Sequence, residues 1–233
     1  VAVLCASGTI MDGQAETDPF GGGAAGVYAL DFVKEIRKLA DDEDVAAVVL
    51  RVDSPGGSAT ASEQIASALK ELREKKPLVV SMSSLAASGG YYISAPAQRI
   101  FAEPTTLTGS IGVFGGKLVL TGTYEKLGVT VTPFERGRRA GLFSMAAKFT
   151  PDERAAVQKQ LDEIYDRFLE IVAEGRGRKR GEIEPIARGR VWTGAQALQR
   201  GLVDELGGLH EALAWVRKKI ATPGAETLPL RVY

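Results

Sequence analysis

One cysteine and one histidine stand in a chain of 233 residues, and each scarcity removes a class of chemistry. Cys5 alone cannot make an internal disulfide framework, and no Cys/His cluster has the spacing of a structural metal site. No metal and no cofactor is therefore expected. Cys5 lies in an apolar segment, where cysteine behaves as a small buried hydrophobe rather than a nucleophile. His210, within 207–212 (GGLHEA), reads as the first turn of a surface helix. With the one histidine placed there, a Ser-His-Asp triad has almost no support. Charge of one sign is missing too: 29 basic and 29 acidic side chains cancel. Nothing global draws the chain to nucleic acid or to an anionic membrane. The basic runs 136–139 and 176–180 have no interleaved aromatics and read as solvated loops. Finally, no apolar stretch approaches the roughly 20 residues that span a bilayer, and the first residues lack a basic n-region. As given, the chain reads as soluble. It begins at Val1 inside an apparent strand, so upstream sequence is expected, and any membrane anchor would lie there.

What is present is an ordinary globular composition, 45% hydrophobic and 25% charged, enough for one sizeable core. Residues 1–6, 44–52 and 77–82 are apolar, β-branched runs bounded by charge and turn signals, as in strands buried on both faces. Leu30, Val33, Ile36 and Leu39 recur at helical spacing, and so do Ile65, Leu69 and Leu72. Segments 99–102, 111–114 and 129–135 are weaker strand candidates, and 12–25 has the composition of a surface loop. Thr150, Pro151 and Glu153 predict an N-cap, a first-turn proline and a capping-box partner for a long helix ending near Gly175 and Gly177. Its apolar stripe is Val157, Leu161, Ile164, Tyr165, Phe168 and Val172. Residues 192–200 and 209–220 read as short amphipathic helices. The expectation is a single α/β domain over 1–233, with repeated β/α units, a mostly parallel sheet, and a helical carboxyl-terminal part over 150–233.

Two segments carry candidate chemistry. Residues 53–58 (DSPGGS) lie between a buried strand and a helix, where adjacent glycines let backbone N–H groups approach a ligand. The lysine and spacing of a P-loop are missing, as is the dinucleotide fingerprint; a plain tight turn is the other reading. Residues 84–92 (SLAASGGYY) follow the next strand and place Ser88 at its mouth, with a helix starting beneath. That is the layout of an exposed nucleophile whose following N–H stabilises an oxyanion. Ala86 breaks the G-x-S-x-G spacing, and Ser88 as a helix N-cap is the structural alternative. Tyr91 and Tyr92 read as pocket walls or as core. With no histidine to accept the Ser88 proton, lysine is the remaining base, because burial and positive neighbours lower its pKa.

At these residues the sequence resembles the bacterial signal peptide peptidase A family, in particular the carboxyl-terminal half of its tandem-domain form. The resemblance rests on SPGGS (54–58), AASGGYYIS (86–94), LTGSIGVFG (107–115), YEKLGV (124–129) and GRVWTGAQALQRGLVDELG (189–207). It implies a Clp-protease-like or crotonase-like α/β fold, a Ser-Lys dyad, and a membrane-anchored homo-oligomer facing the extracytoplasmic side that degrades signal peptide remnants. By that resemblance Ser88 is the nucleophile, Ser110 orients the lysine, and Gly57 and Gly89 form the oxyanion hole; Tyr91 is expected to contact substrate from its place beside Ser88 alone. The lysine does not carry over. Its place after Gly137 falls on Ala140, and Lys148 lies eight positions further on. The missing lysine agrees with the tandem form, in which an amino-terminal domain or a neighbouring subunit supplies the base. Two other readings stand beside this one: a crotonase-type acyl-CoA enzyme, which needs an oxyanion hole but no nucleophilic serine, and a non-catalytic peptide-binding scaffold.

Overall fold

A computed structural model describes residues 1–15, 26–220 and 229–233. Its elements in chain order are β1 (Ala2–Ser7), β2 (Thr9–Met11), β3 (Gly26–Tyr28), α1 (Ala29–Asp41), β4 (Val48–Ser54), α2 (Ala59–Lys75), β5 (Leu78–Ala87), α3 (Gly89–Ser94), β6 (Arg99–Ala102) and β7 (Leu107–Gly109). There follow α4 (Thr121–Lys126), α5 (Pro151–Gly175), α6 (Arg180–Ile183), β8 (Val191–Thr193), α7 (Gly194–Gln199), β9 (Glu205–Leu206), α8 (Leu209–Ile220) and β10 (Arg231–Val232). The sheet runs β10-β1-β4-β5-β6-β9, every pair parallel. β7 pairs with the far end of β5, and β8 joins β7 antiparallel. β2 and β3 form a separate parallel pair. This is the mostly parallel α/β architecture that the β-branched runs predicted. A parallel sheet must be covered on both faces. Val3, Val49, Val79 and Phe101 share one face and pack against Ala212, Leu213 and Val216 of α8. The alternate residues Leu4, Leu50, Val80 and Ile100 point the other way and are just as buried.

By its contacts the chain divides into two compact units: Val1–Gly112 with Arg167–Tyr233, and Val113–Asp166. The carboxyl-terminal part from Arg167 thus belongs with the sheet. The second unit has no strand among its residues, so the candidate at 129–135 does not form; the one at 111–114, which straddles the division between the units, forms no strand either. Val129 and Val131 are about half exposed, 49% and 45%, with no neighbouring strand to pair. Here β-propensity yields, because it expresses packing on a sheet surface rather than an intrinsic backbone preference. The unit is tied by the Arg139 fork on Asp152 (2.8 and 3.0 Å) and by the Leu120 N–H to the Met145 carbonyl (2.9 Å). The predicted cap of α5 is present: the Glu153 N–H donates to Thr150 Oγ1 (3.2 Å), and the Thr150 N–H donates to Glu153 Oε2 (2.8 Å).

Two local expectations need correcting. In α1, Phe32 is buried with Ile36 and Leu39, whereas Leu30 is half exposed. Residues 191–193 form β8, so the helix expected from 192 begins at Gly194, capped by Thr193 and Gln196. Of the loop expected over 12–25, residues 16–25 lie outside the described residues. No helix among the described residues is long and apolar enough to cross a membrane.

Candidate active site

The ends of β4, β5 and β7 converge, because Ser54 pairs with Ala86, and Ala87 pairs with Gly109. Ligands of open parallel sheets gather at such carboxyl ends, where strands hand over to helices. β5 runs to Ala87, well beyond the predicted 77–82, so Ser88 stands directly on a strand tip with α3 starting at Gly89. Ser88 has φ 52° and ψ −120°. A non-glycine residue held there costs on the order of 1–3 kcal/mol and persists only when its surroundings fix it. They do: the Ser88 N–H donates to the Gly109 carbonyl (3.0 Å), and the Ser88 carbonyl accepts the Tyr92 N–H (2.9 Å). Its side chain makes no capping hydrogen bond, which removes the N-cap alternative and leaves the hydroxyl uncommitted.

The glycine turn packs against this corner without room for side chains. A Cβ on Gly56 (φ 96°) would lie 2.5 Å from the Gly89 nitrogen and 2.8 Å from Ser88 Cβ. One on Gly57 (φ 154°) would lie 2.0 Å from the Ile10 carbonyl oxygen. One on Gly89 would lie 3.2 Å from the Gly57 nitrogen. The Gly57 and Gly89 amides are therefore close neighbours. Ile10 donates to the Gly56 carbonyl and accepts from the Ser58 N–H, both 2.9 Å, in a parallel bridge that brackets Gly57. In such a bridge the N–H of Gly57 itself points away from Ile10. Gly89 opens α3, and its N–H is one of the groups a helix cannot satisfy internally. Among the described residues neither N–H has an acceptor.

Sequence reasoning missed the residues that hold this turn. Ser54 is fully buried; its hydroxyl donates to the Gly8 carbonyl (2.6 Å) and accepts the Gly56 N–H (3.1 Å). Ser62 donates to the Ser58 carbonyl (2.8 Å), and its Oγ would meet a Gly89 Cβ at 2.5 Å. Small polar residues in SPGGS and four residues beyond it were the only signal. A second network ties α2, α3 and α5: the Tyr92 hydroxyl donates to Glu63, and Arg167 grips the same carboxylate at 2.8 Å. Burial, then the Glu63 carboxylate, pushes the Tyr92 phenol well above its ordinary pKa. Burial alone would raise the Glu63 carboxyl, but Arg167 and Tyr92 outweigh it and hold it below the usual range.

Ser110 is brought close to Ser88, since its neighbour Gly109 accepts the Ser88 N–H. It too has positive φ (48°), with its own N–H donating to the Arg190 carbonyl (2.7 Å). Among the described residues neither serine hydroxyl has a hydrogen-bond partner. Tyr91, expected to contact substrate, is instead a core residue: it is fully buried, and its hydroxyl donates to the Leu202 carbonyl (2.7 Å). Cys5 is exposed rather than buried. His210 is exposed in the first turn of α8. Ala140 and Lys148 are exposed residues of the second unit. Among the described residues no group of three metal-ligating side chains is assembled.

A profile of peptidase family S49 matches residues 70–222, a span that contains both Ser88 and Ser110. The chain belongs to peptidase family S49. The family is Clp-protease/crotonase-like, in accord with the sheet described above. The chain is 41% identical to Protease 4 of Haemophilus influenzae over 91% of its own length and 34% of that protein. It is 36% identical to the chloroplastic serine protease SPPA of Arabidopsis thaliana, over 96% of this chain and 33% of the relative. A protein of Enterococcus faecium provisionally named signal peptide peptidase SppA is 37% identical over 81% of this chain and 55% of the relative. The chain thus spans about a third of the length of the first two relatives.

Proposed function

We propose that this chain carries the nucleophile and the oxyanion donors of a serine endopeptidase whose general base is a lysine from another domain or subunit. The observation that carries the reading is the Ser88 corner: a strained strand tip, an uncommitted hydroxyl and two unpaired amides beside it. In the reaction Ser88 Oγ attacks the scissile carbonyl while the Gly57 and Gly89 N–H groups donate to the oxygen as it takes on charge. The lysine takes the Ser88 proton and returns it to the leaving amine, and water then hydrolyses the acyl-enzyme. Ser110 orients the lysine ammonium. The guanidinium groups of Arg136, Arg138 and Arg139 stay protonated at ordinary pH and cannot replace it. A base from elsewhere is favoured because, among the described residues, no lysine hydrogen-bonds either hydroxyl, and by the length of the relatives outside the matched segment.

The substrates proposed are signal peptide remnants and other short apolar peptides, in line with the name carried by the Enterococcus relative. Phe114 and Phe134 of the second unit are 98% and 96% exposed, with Leu118 and Leu127 also largely in solvent. Apolar surface of that kind favours a homo-oligomer. Attachment to a membrane on its extracytoplasmic side, through a segment outside these residues, completes the proposal. The acyl-CoA enzyme and the scaffold are disfavoured by the protease names of the relatives and by an uncommitted serine at the strand tip. A fluorophosphonate probe tests the assignment: with the lysine-bearing segment present, mass spectrometry should place the adduct on Ser88, and Ser88→Ala should abolish it. An adduct elsewhere, or none, would overturn the reading.

A further inference from the structure

Within the second unit alone lies a cavity of about 450 Å³ with no assigned role. α5 supplies one wall through Arg154, Val157, Gln158 and Leu161, spaced so that they share a helix face. Gly115, Lys117, Val119, Lys148 and Phe149 supply the rest. Three cations line it and no carboxylate does. Lys148 and Arg154 make no ion pair among the described residues. Lys117 is the sharper observation. Its Nζ is shielded from solvent yet has no hydrogen-bond partner among the described residues, and it sits 4.5 Å from the centroid of the Phe149 ring. An ammonium removed from water needs a partner, and a cation–π contact compensates only part of its lost hydration. The Glu153 carboxylate feels the Lys117 charge but is already committed to the Thr150 N–H, and its neighbour Asp152 is held by Arg139.

Beside the three cations, Gly115 and the Gln158 amide, the lining is apolar: Val119, Phe149, Val157 and Leu161. An inorganic anion would satisfy the cations and leave that surface wet. A neutral apolar molecule would bury it and leave Lys117 unpaired. We propose that the cavity binds an apolar carboxylate, the free carboxyl terminus of a short peptide ending in an apolar residue, with Lys117, Lys148 and Arg154 on the carboxylate and the apolar wall on the last side chain. The anion chemistry stands on the cavity alone. The choice of a peptide rests on the endopeptidase reading, since cleavage of an apolar peptide releases such an end.

The test needs no turnover, so it stays separate from the activity assignment. The full chain carrying Ser88→Ala would be titrated, by calorimetry, with N-acetyl-Ala-Leu as the free acid, with the same peptide amidated, and with octanoate. The free acid should bind at least about tenfold more tightly than the amide, as loss of charge-assisted hydrogen bonds requires. Lys117→Met and the surface variant Lys148→Met should each weaken it, and Lys117→Arg should restore much of the affinity. Equal binding of acid and amide, or no change in the methionine variants, would overturn the site. Octanoate binding as tightly as the peptide would uphold an apolar-carboxylate site and overturn the peptide as its ligand.

Discussion

The glycine turn with the Ser88 corner and the segment 113–166 differ in how far their backbones are determined. At the corner the backbone is pinned: Ser54 holds Gly56, Ile10 brackets Gly57, and Gly109 holds Ser88. Three glycines lie so close that a single added methyl group would collide. In the second unit, by contrast, a Cβ on Gly116, Gly122, Gly128 or Gly137 would meet nothing within 4 Å. Large apolar side chains there face solvent. The chemistry proposed for the first region needs atoms fixed to a fraction of an ångström. The second region carries the exposed apolar side chains and a cavity with the shielded Lys117 ammonium.

Matched substitutions would break or sharpen this contrast. Gly57→Ala should have the largest effect, because the new methyl must displace the Ile10 carbonyl and adopt a φ of 154°. Strain and a lost bridge together should cost about 2–4 kcal/mol, read by chemical denaturation. Gly116→Ala in the second unit should change stability by less than about 0.5 kcal/mol. Comparable losses in both would erase the distinction. Ser110→Ala should lower peptide hydrolysis by roughly 10- to 100-fold with an unchanged melting temperature, because its proposed role is to orient the base. An unaltered rate would make Ser110 a structural residue of the β7–β8 corner.

The Glu63 carboxylate gives a pH test. It is depressed from the ordinary 4.5, so its contribution to stability is full above about that pH and is lost as pH falls through the lower folded value. Glu63→Gln should therefore flatten the acid limb of the stability curve and leave the alkaline limb in place. Unchanged acid unfolding would show that Tyr92 and Arg167 hold α2, α3 and α5 without it. Phe114→Ser with Phe134→Ser should have the smallest effect on stability, within about 0.5 kcal/mol, since both rings are already in solvent. Sedimentation should nonetheless show a smaller assembly than the parent protein forms.

What could be read from the sequence follows the same division. Ser88, Gly57 and Gly89 were visible because strand, turn and helix signals are local and consecutive there. The Thr150 cap was visible for the same reason. Ser54 and Ser62 were passed over because their partners, Gly8 and the Ser58 carbonyl, matter only once β1, β4 and α2 are assembled. Glu63, Tyr92 and Arg167 lie on three helices, and nothing in their spacing announces a shared carboxylate. Tyr91 was misjudged because adjacent tyrosines on a short helix point in different directions. One reaches Leu202 in the core, and the other reaches Glu63. The strand expected at 129–135 failed because a β-branched run needs a neighbouring edge, and the second unit has none.

The central claim is that Ser88 is a poised nucleophile whose base comes from outside this chain. Peptide hydrolysis tests it most directly, measured on the chain alone, on the chain with the lysine-bearing amino-terminal segment added, and on the chain carrying Ala140→Lys. The account predicts negligible turnover by the folded chain alone and activity on adding the segment. That activity should disappear with Ser88→Ala or on mutation of the added lysine. Robust hydrolysis by the unaltered chain alone would contradict it, and would place the base among the lysines already present, Lys148 first.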